Sequence, residues 1–265
     1  MWNPVLTEER RAVAPAHSSD ALMSSMADVR TVLVFSAHAA DFVWRAGGAI
    51  ALSASRGCRV RILCLSYGER GESQGAWKEP GMTIERAKEI RRAESERAAG
   101  ILGAEVRFFD AGDYPLRCTD ALVEALVQEY RTCRPDVVLT HSYDDPYNPD
   151  HPAANQISLQ TRVYAQAEGY PLPGPALGAP PVFMFEPHQP EQCAFKPEVL
   201  LDVTPVWERK RQAMESMEAQ RHLVDYYSDL SRRRGTQAVR NSGRKGITHA
   251  EAYQRVFPQV TGELA

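Results

Sequence analysis

The sequence has no basic block, no apolar run long enough to cross a bilayer, no CxxC pair and no internal repeat. Each absence removes a class of function. Lys and Arg number 31 against 34 Asp and Glu, a formal net charge of −3. A nucleic-acid surface is built from clustered cations, so no nucleic-acid partner is expected. A spanning helix needs about 20 consecutive apolar residues, so no membrane partner is expected either. The opening stretch MWNPVLTEERRAVAPAHSSD has no apolar leader segment, which points to a cytoplasmic location. The five cysteines, Cys58, Cys64, Cys118, Cys133 and Cys193, are odd in number and scattered. They read as buried thiols in a reducing compartment, neither bridged nor clustered on zinc.

What is present is an ordinary globular composition, 43% hydrophobic and 25% charged over 265 residues, enough to bury a sizeable core. Residues 1–30 are polar and aperiodic and read as a flexible N-terminal arm ahead of a single domain, 31–265. From Thr31 the chain alternates. TVLVFSAH reads as a buried strand, DFVWRAGGAIALSASRG as a helix with a glycine stop, and RVRILCLS as the next strand. TIERAKEIRRAESERAAGILG is a helix capped by Thr83 and ended by Gly103. EVRFFD, DVVLTH and PVFMFEPHQP supply further strands, with VLLDVT as a sixth. DALVEALVQEYRTC is a third helix, and NQISLQTRVYAQAEG a fourth after the loop SYDDPYNPDHPAA. Pro205 to Arg234 is mostly helical, either capping the sheet or building a subunit interface, and a homo-oligomer is expected. The alternation predicts an α/β fold: a Rossmann-like, mostly parallel sheet with helices on both faces and a helical C-terminal segment.

In open α/β sheets, ligands bind beyond the carboxyl ends of the strands. His38 ends the first strand, and Glu69 and Glu72 follow the second. Asp110 and Asp113 follow the third, His141 and His151 the fourth, and His188 the fifth. His38 and Asp41 stand three residues apart across a strand-to-helix turn, where both side chains can reach one ion. With His151 of NPDHP as third ligand, the set would hold a divalent ion and leave one position open for water. Asp150 is placed to orient an imidazole from behind. HxxD is a weak signal. On spacing alone, the reading of His38 as a helix cap or core histidine, and of His151 as a loop histidine, stays open.

VLVFSAHAADFVWRAGG resembles the first motif of the PIG-L/LmbE-like superfamily of zinc-dependent N-deacetylases, usually AHPDD before a glycine-containing helix. NPDHPAA resembles the second motif, usually HPDH, and RRAESERAAGILG the helix between them. The resemblance implies one Zn2+ held by His38, Asp41 and His151. It also marks departures. The family's first aspartate, the base of deacetylation, falls on Ala40, its proline on Ala39, and the first histidine of the second motif on Asn148. With no carboxylate at position 40, nothing there takes a proton from water. Longer strings, VFSAHAADFVWRAGGAIAL, GERGES, DPYNPDHP, FEPHQPEQC and the end VFPQVTGELA, resemble the lyase branch of the superfamily, hydratases of bacterial gallate catabolism. That resemblance covers nearly the whole chain after Arg30. It implies addition of water to the carbon–carbon double bond of a small-molecule tricarboxylate oxo-acid, giving 4-carboxy-4-hydroxy-2-oxoadipate.

Such a hydration needs cationic groups to hold the carboxylates, a base for water and an acid for carbon. The resemblance implies an acid/base pair from the polar loops after strands two and five: Glu72 and His188. Glu69 is the rival to Glu72, and Glu186 is placed to orient His188. Arg45, Arg70, Arg91, Arg92 and Arg117 are candidates for binding carboxylates, with Arg70 and Arg117 in the rim loops. Asn148, Ser73 and Tyr147 are candidate hydrogen-bonding partners of the substrate, as are Tyr114 and Tyr143. Two other readings remain open at this point: an N-acetyl sugar deacetylase with a relocated base, and a non-catalytic metal-binding protein.

Overall fold

The computed structural model describes residues 31–262. Its seven strands form one sheet: β1 (Thr31–Ser36), β2 (Arg59–Cys64), β3 (Glu105–Phe108), β4 (Val137–Thr140), β5 (Val182–Phe185), β6 (Val199–Asp202) and β7 (Ala250–Arg255). Their order across the sheet is β3-β2-β1-β4-β5-β7-β6. The pairs from β3 to β5 are all parallel, and β7 runs antiparallel to both of its neighbours. Six helices pack on the sheet: α1 (Asp41–Ser55), α2 (Ile84–Leu102), α3 (Asp120–Cys133), α4 (Asp150–Gln166), α5 (Trp207–Glu215) and α6 (Leu223–Ser242).

The apolar run of β1 explains its central place. Val32 and Val34 join one core with Phe42, Ile50, Leu102 and Met214, while Leu33 and Phe35 join the opposite core with Leu126, Tyr130 and Ile157. A strand covered on both faces must be apolar at every position, because successive side chains point to opposite sides. Helices α1, α2, α5 and α6 cover one face, and α3 and α4 the other. Helix α2 has the expected ends: Thr83 accepts from Arg86 N, and Gly103 sits in the left-handed region at φ +82°. No described helix is long and apolar enough to cross a membrane.

The chain winds outward from β1 to β2 and β3, then returns to β4 on the other side of β1. That reversal opens a crevice at the carboxyl ends of β1 and β4, where His38 and His141 emerge.

Several expectations are corrected here. Strand β7 was not foreseen; its sequence AEAYQR carries Glu251, which is buried because Lys210 Nζ lies 2.7 Å from it. Helix α4 begins at Asp150, so the NPDHP residues Asp150 and His151 sit on a first turn and not in a loop. Helix α6 continues past Arg234 to Ser242. Cys118 is exposed, while the other four cysteines are buried, and no disulfide joins any of the five. The expected N-terminal arm, residues 1–30, lies outside the described residues.

Candidate active site

The turn from β1 into α1 is built by its own short side chains. Ser36 Oγ donates to the His38 carbonyl at 2.6 Å and accepts from Phe42 N at 3.2 Å. The Asp41 carboxylate accepts from His38 N at 2.8 Å, closing the three-residue step between them. Ala39 and Ala40 are buried, Ala40 within the apolar core beneath α1.

Around Asp41 the imidazoles leave lone pairs without protons to meet. His151 Nδ1 lies 2.7 Å from Asp145 Oδ2, so Nδ1 carries the proton and donates it. Its Nε2 is then a bare acceptor, buried without a hydrogen-bond partner and 3.3 Å from Asp41 Oδ1. His38 Nε2 donates to Asp150 Oδ2 at 3.3 Å, which leaves Nδ1 facing Asp41 Oδ2 at 3.2 Å. Two acceptors that close need a cation between them. The donor set, two imidazoles and a carboxylate with carboxylates behind both rings, fits a divalent metal. Glu72 adds a fourth acid, within 4.8 Å of His38 and His151. In the metal-free chain a proton takes the cation's place. Burial alone would lower the His38 pKa, but Asp113, Asp150 and Asp41 hold it well above 6.5. Burial opposes the charge of Asp41, yet His151 and the hydrogen bond from His38 keep its carboxyl well below the usual range.

His141 also lies near Asp41 and His151, stacked on the His151 ring at 4.4 Å. Its Nε2 accepts from Ala37 N at 2.9 Å, so the proton sits on Nδ1 and no lone pair remains for a metal. Burial and the neighbouring His151 hold its pKa well below the ordinary value. It is a neutral shelf under His151.

Glu72 is held by two amides. Asn148 Nδ2 donates to Oε1 at 2.7 Å and Gln220 Nε2 to Oε2 at 2.6 Å. The same Asn148 accepts from Asp150 N at 3.0 Å, so one side chain ties Glu72 to the start of α4. Gly68, at φ +67°, lets the loop after β2 turn back over His38: a Cβ there would lie 2.7 Å from the Glu72 Cβ and 3.1 Å from the His38 Cβ. Ser73 Oγ donates to the Gly68 carbonyl at 2.6 Å and shapes that loop. His188 lies half-buried beside Tyr226, ring centroids 4.4 Å apart, with Tyr227 Oη 3.5 Å from its Nδ1. Burial and then Arg45 lower its pKa, while Asp145 and Glu72 act in the opposite sense. Tyr147 flanks it, its ring centroid 6.3 Å away and its hydroxyl donated to Gln189 Oε1 at 2.7 Å.

The fold is shared with N,N'-diacetylchitobiose deacetylase from Pyrococcus horikoshii, at TM-score 0.72 and 20% identity over 86% of this chain and 84% of that one. The chain is 50% identical over 239 residues to 4-oxalmesaconate hydratase of Pseudomonas putida, covering 89% of this chain and 93% of the relative. The crystal structure of GalB, the 4-carboxy-2-hydroxymuconate hydratase of Pseudomonas putida, superposes with a TM-score of 0.87 at 50% identity, covering 89% of this chain and all of that one. The PIG-L family model, described as GlcNAc-PI de-N-acetylase, matches residues 33–161. The chain belongs to the PIG-L family.

The matched PIG-L segment carries His38, Asp41, Glu72 and His151, while His188 and Gln220 lie beyond it. Not every residue expected near the site arrives there. Arg117 is exposed and lines a separate groove with Phe109, Asp110 and Thr119, because only its neighbour Leu116 turns inward, donating its N–H to Asp150. Arg70 is exposed, with Nη1 on the Asp113 carbonyl at 3.2 Å and its own N–H on Asp113 Oδ2. Glu69 turns away from the imidazoles toward Lys88 Nζ, 4.0 Å distant. Glu186 does not orient His188: its carboxylate is taken by Arg234. Asp150 stands behind His38, and the carboxylate behind His151 is Asp145, which the sequence reading passed over. Its signal was present in the DDPYNPDH string, an acid six residues before the histidine. Gln220 was also missed, and nothing local marks it.

Proposed function

We propose that the chain is a metal-dependent hydratase that adds water across the carbon–carbon double bond of 4-oxalomesaconate, giving 4-carboxy-4-hydroxy-2-oxoadipate in the catabolism of gallate. The two Pseudomonas names describe keto and enol forms of one tricarboxylate. What supports the proposal is the cluster of His38, Asp41 and His151 with Glu72 beside it, a buried alanine at position 40, and 50% identity to a hydratase over 89% of the chain. A deacetylase would need a base at position 40; a hydratase does not.

The metal we assign is Zn2+, held by His38, Asp41 and His151; when bound it polarises the conjugated oxo-acid and eases deprotonation of water. Glu72 accepts the proton of the attacking water, and the amides of Asn148 and Gln220 hold its two oxygens in place. The water oxygen bonds to one carbon of the double bond. The electron pair of that bond moves to its neighbour, which takes a proton from His188. Water is thus consumed whole, with no oxidant or leaving group. Tyr147 is exposed at the mouth as a hydrogen-bonding partner, whereas the Asn148 amide is taken up by Glu72 and Asp150 N, and a soluble cytoplasmic location suits such a substrate.

Incubation with 4-oxalomesaconate tests the reading. The expected product is heavier by one water, and no acetate appears from N-acetylglucosamine derivatives. Acetate release at a useful rate, with the oxo-acid unchanged, would overturn the assignment in favour of a deacetylase.

A further inference from the structure

Arg45 is a buried cation, and two of its three guanidinium nitrogens have no acceptor. It lies one turn along α1 from Asp41, its side chain 5% exposed. Nε and Nη1 have no hydrogen-bond partner. The nearest carboxylate oxygens, Asp41 Oδ1 at 3.8 Å from Nε and Asp145 Oδ2 at 3.6 Å from Nη1, are too distant for hydrogen bonds. Nη2 lies 3.3 Å from His151 Nδ1, but that nitrogen donates its own proton to Asp145 at 2.7 Å, so the contact is donor to donor. Charge is not what the group lacks. Burial opposes its ionisation, while Tyr227, Asp41, Asp145 and Glu72 favour it, with a net upward shift.

A guanidinium offers five N–H groups in a planar fork, and leaving them unmet in a buried place is costly. Neutralising Asp41 and Asp145 accounts for a positive charge here but not for a fork held off from both. The missing partner is a planar anion with two oxygens. The other arginines at this end are engaged: Arg70 on the Asp113 carbonyl, Arg91 with Glu94 and Gln220, Arg92 over Tyr67. The guanidinium lies against His151, Asp145 and Asp41, so its open N–H groups are beside the candidate metal cluster.

We propose that Arg45 binds one carboxylate of the substrate through its unpaired N–H groups, beside Asp41 and His151. This rests on the hydratase reading above and specifies its substrate class. An oxo-acid carboxylate completes the fork, whereas a neutral acetamido sugar leaves it unmet, so the residue selects for anions as well as holding them.

The test is calorimetric titration of the zinc-loaded protein with tricarballylate, a stable tricarboxylate, in wild type, Arg45→Gln and Arg45→Lys, with zinc content and melting measured on each. Arg45→Gln should keep zinc and fold and bind roughly 10- to 100-fold more weakly, the scale of a charge-assisted pair. Arg45→Lys keeps the charge without the fork and should fall between. Equal affinity in Arg45→Gln and wild type overturns the proposal. If Arg45→Gln does not fold, Arg45→Lys decides: binding indistinguishable from wild type overturns the pairing. The hydratase reading fails separately, if wild type leaves the oxo-acid unchanged while the Arg45 variants still lose tricarballylate.

Discussion

Glu72 shows how a loop carboxylate becomes a candidate base. Its two oxygens each accept from a different amide, one on the turn before α4 and one from a segment more than a hundred residues on. Glu72→Gln keeps the volume and loses the basicity; His188→Asn removes the titrating ring. Each variant is expected to keep its metal and fold and lose roughly two to four orders of magnitude in turnover, the range for general acid–base groups. Near-normal turnover in either removes that residue from the mechanism. His188 must hold a proton to serve as the acid, so activity should fall as pH rises through its pKa. Burial and Arg45 push that pKa down in the free protein. A bound tricarboxylate adds negative charge nearby and pushes it back up. The alkaline limb of kcat should therefore lie at higher pH than that of kcat/KM, and coincident limbs would contradict the role given to His188. At this scale the distinctive strings were enough to foresee that His38, Asp41, Glu72 and His151 come together. The sequence was not legible for Gln220 or for the open fork of Arg45, because both depend on contacts that only the assembled fold creates.

Among the elements, α1 starts at the turn of the candidate metal site and is fastened from below by β7. Glu251 accepts from Gly48 N at 2.6 Å, Ala49 N at 2.8 Å and Lys210 Nζ at 2.7 Å, all buried. Gly48 has room for no side chain, since a Cβ would lie 2.5 Å from Val203 Cγ1. Glu251→Ala strands the Lys210 ammonium and should cost about 3–5 kcal/mol of stability, read from urea denaturation. A joint Lys210→Met, Glu251→Leu replacement should cost less, the remainder being the acceptor lost to Gly48 N, Ala49 N and the Tyr253 hydroxyl, and an equal cost would show that the stranded charge is not the issue. The parallel strands could be read from their apolar runs and α2 from its caps. Strand β7 could not, because half of AEAYQR is polar and its buried glutamate makes sense only once Lys210 stands opposite. The start of α4 was misplaced for a related reason: Asp150 and His151 look like loop residues until their side chains are seen turned to His38 and Asp41.

For the molecule as a whole, the order of the sheet decides where chemistry happens, since β1 and β4 part at the point where the chain reverses. Metal and proton compete there. His38 is held protonated in the metal-free chain, well above 6.5. A raised pKa stabilises the metal-free fold fully below the unfolded value, and that contribution is lost as pH rises through the folded one. Zinc must displace the proton, so its affinity should strengthen with rising pH until His38 is free of it. Competition titrations with a zinc indicator across that range would show this, and a flat profile would exclude His38 as a ligand. His38→Ala should lose both metal and activity, whereas Ala40→Asp should not raise hydration, since the proposed base is Glu72.

The most direct measurement is the absorbance of conjugated 4-oxalomesaconate with the protein as purified, after chelation, and after zinc is returned. The account predicts a fall in absorbance that stops on chelation and resumes with zinc. Absorbance that stays constant with zinc-loaded protein, or falls equally after the metal is removed, would contradict it.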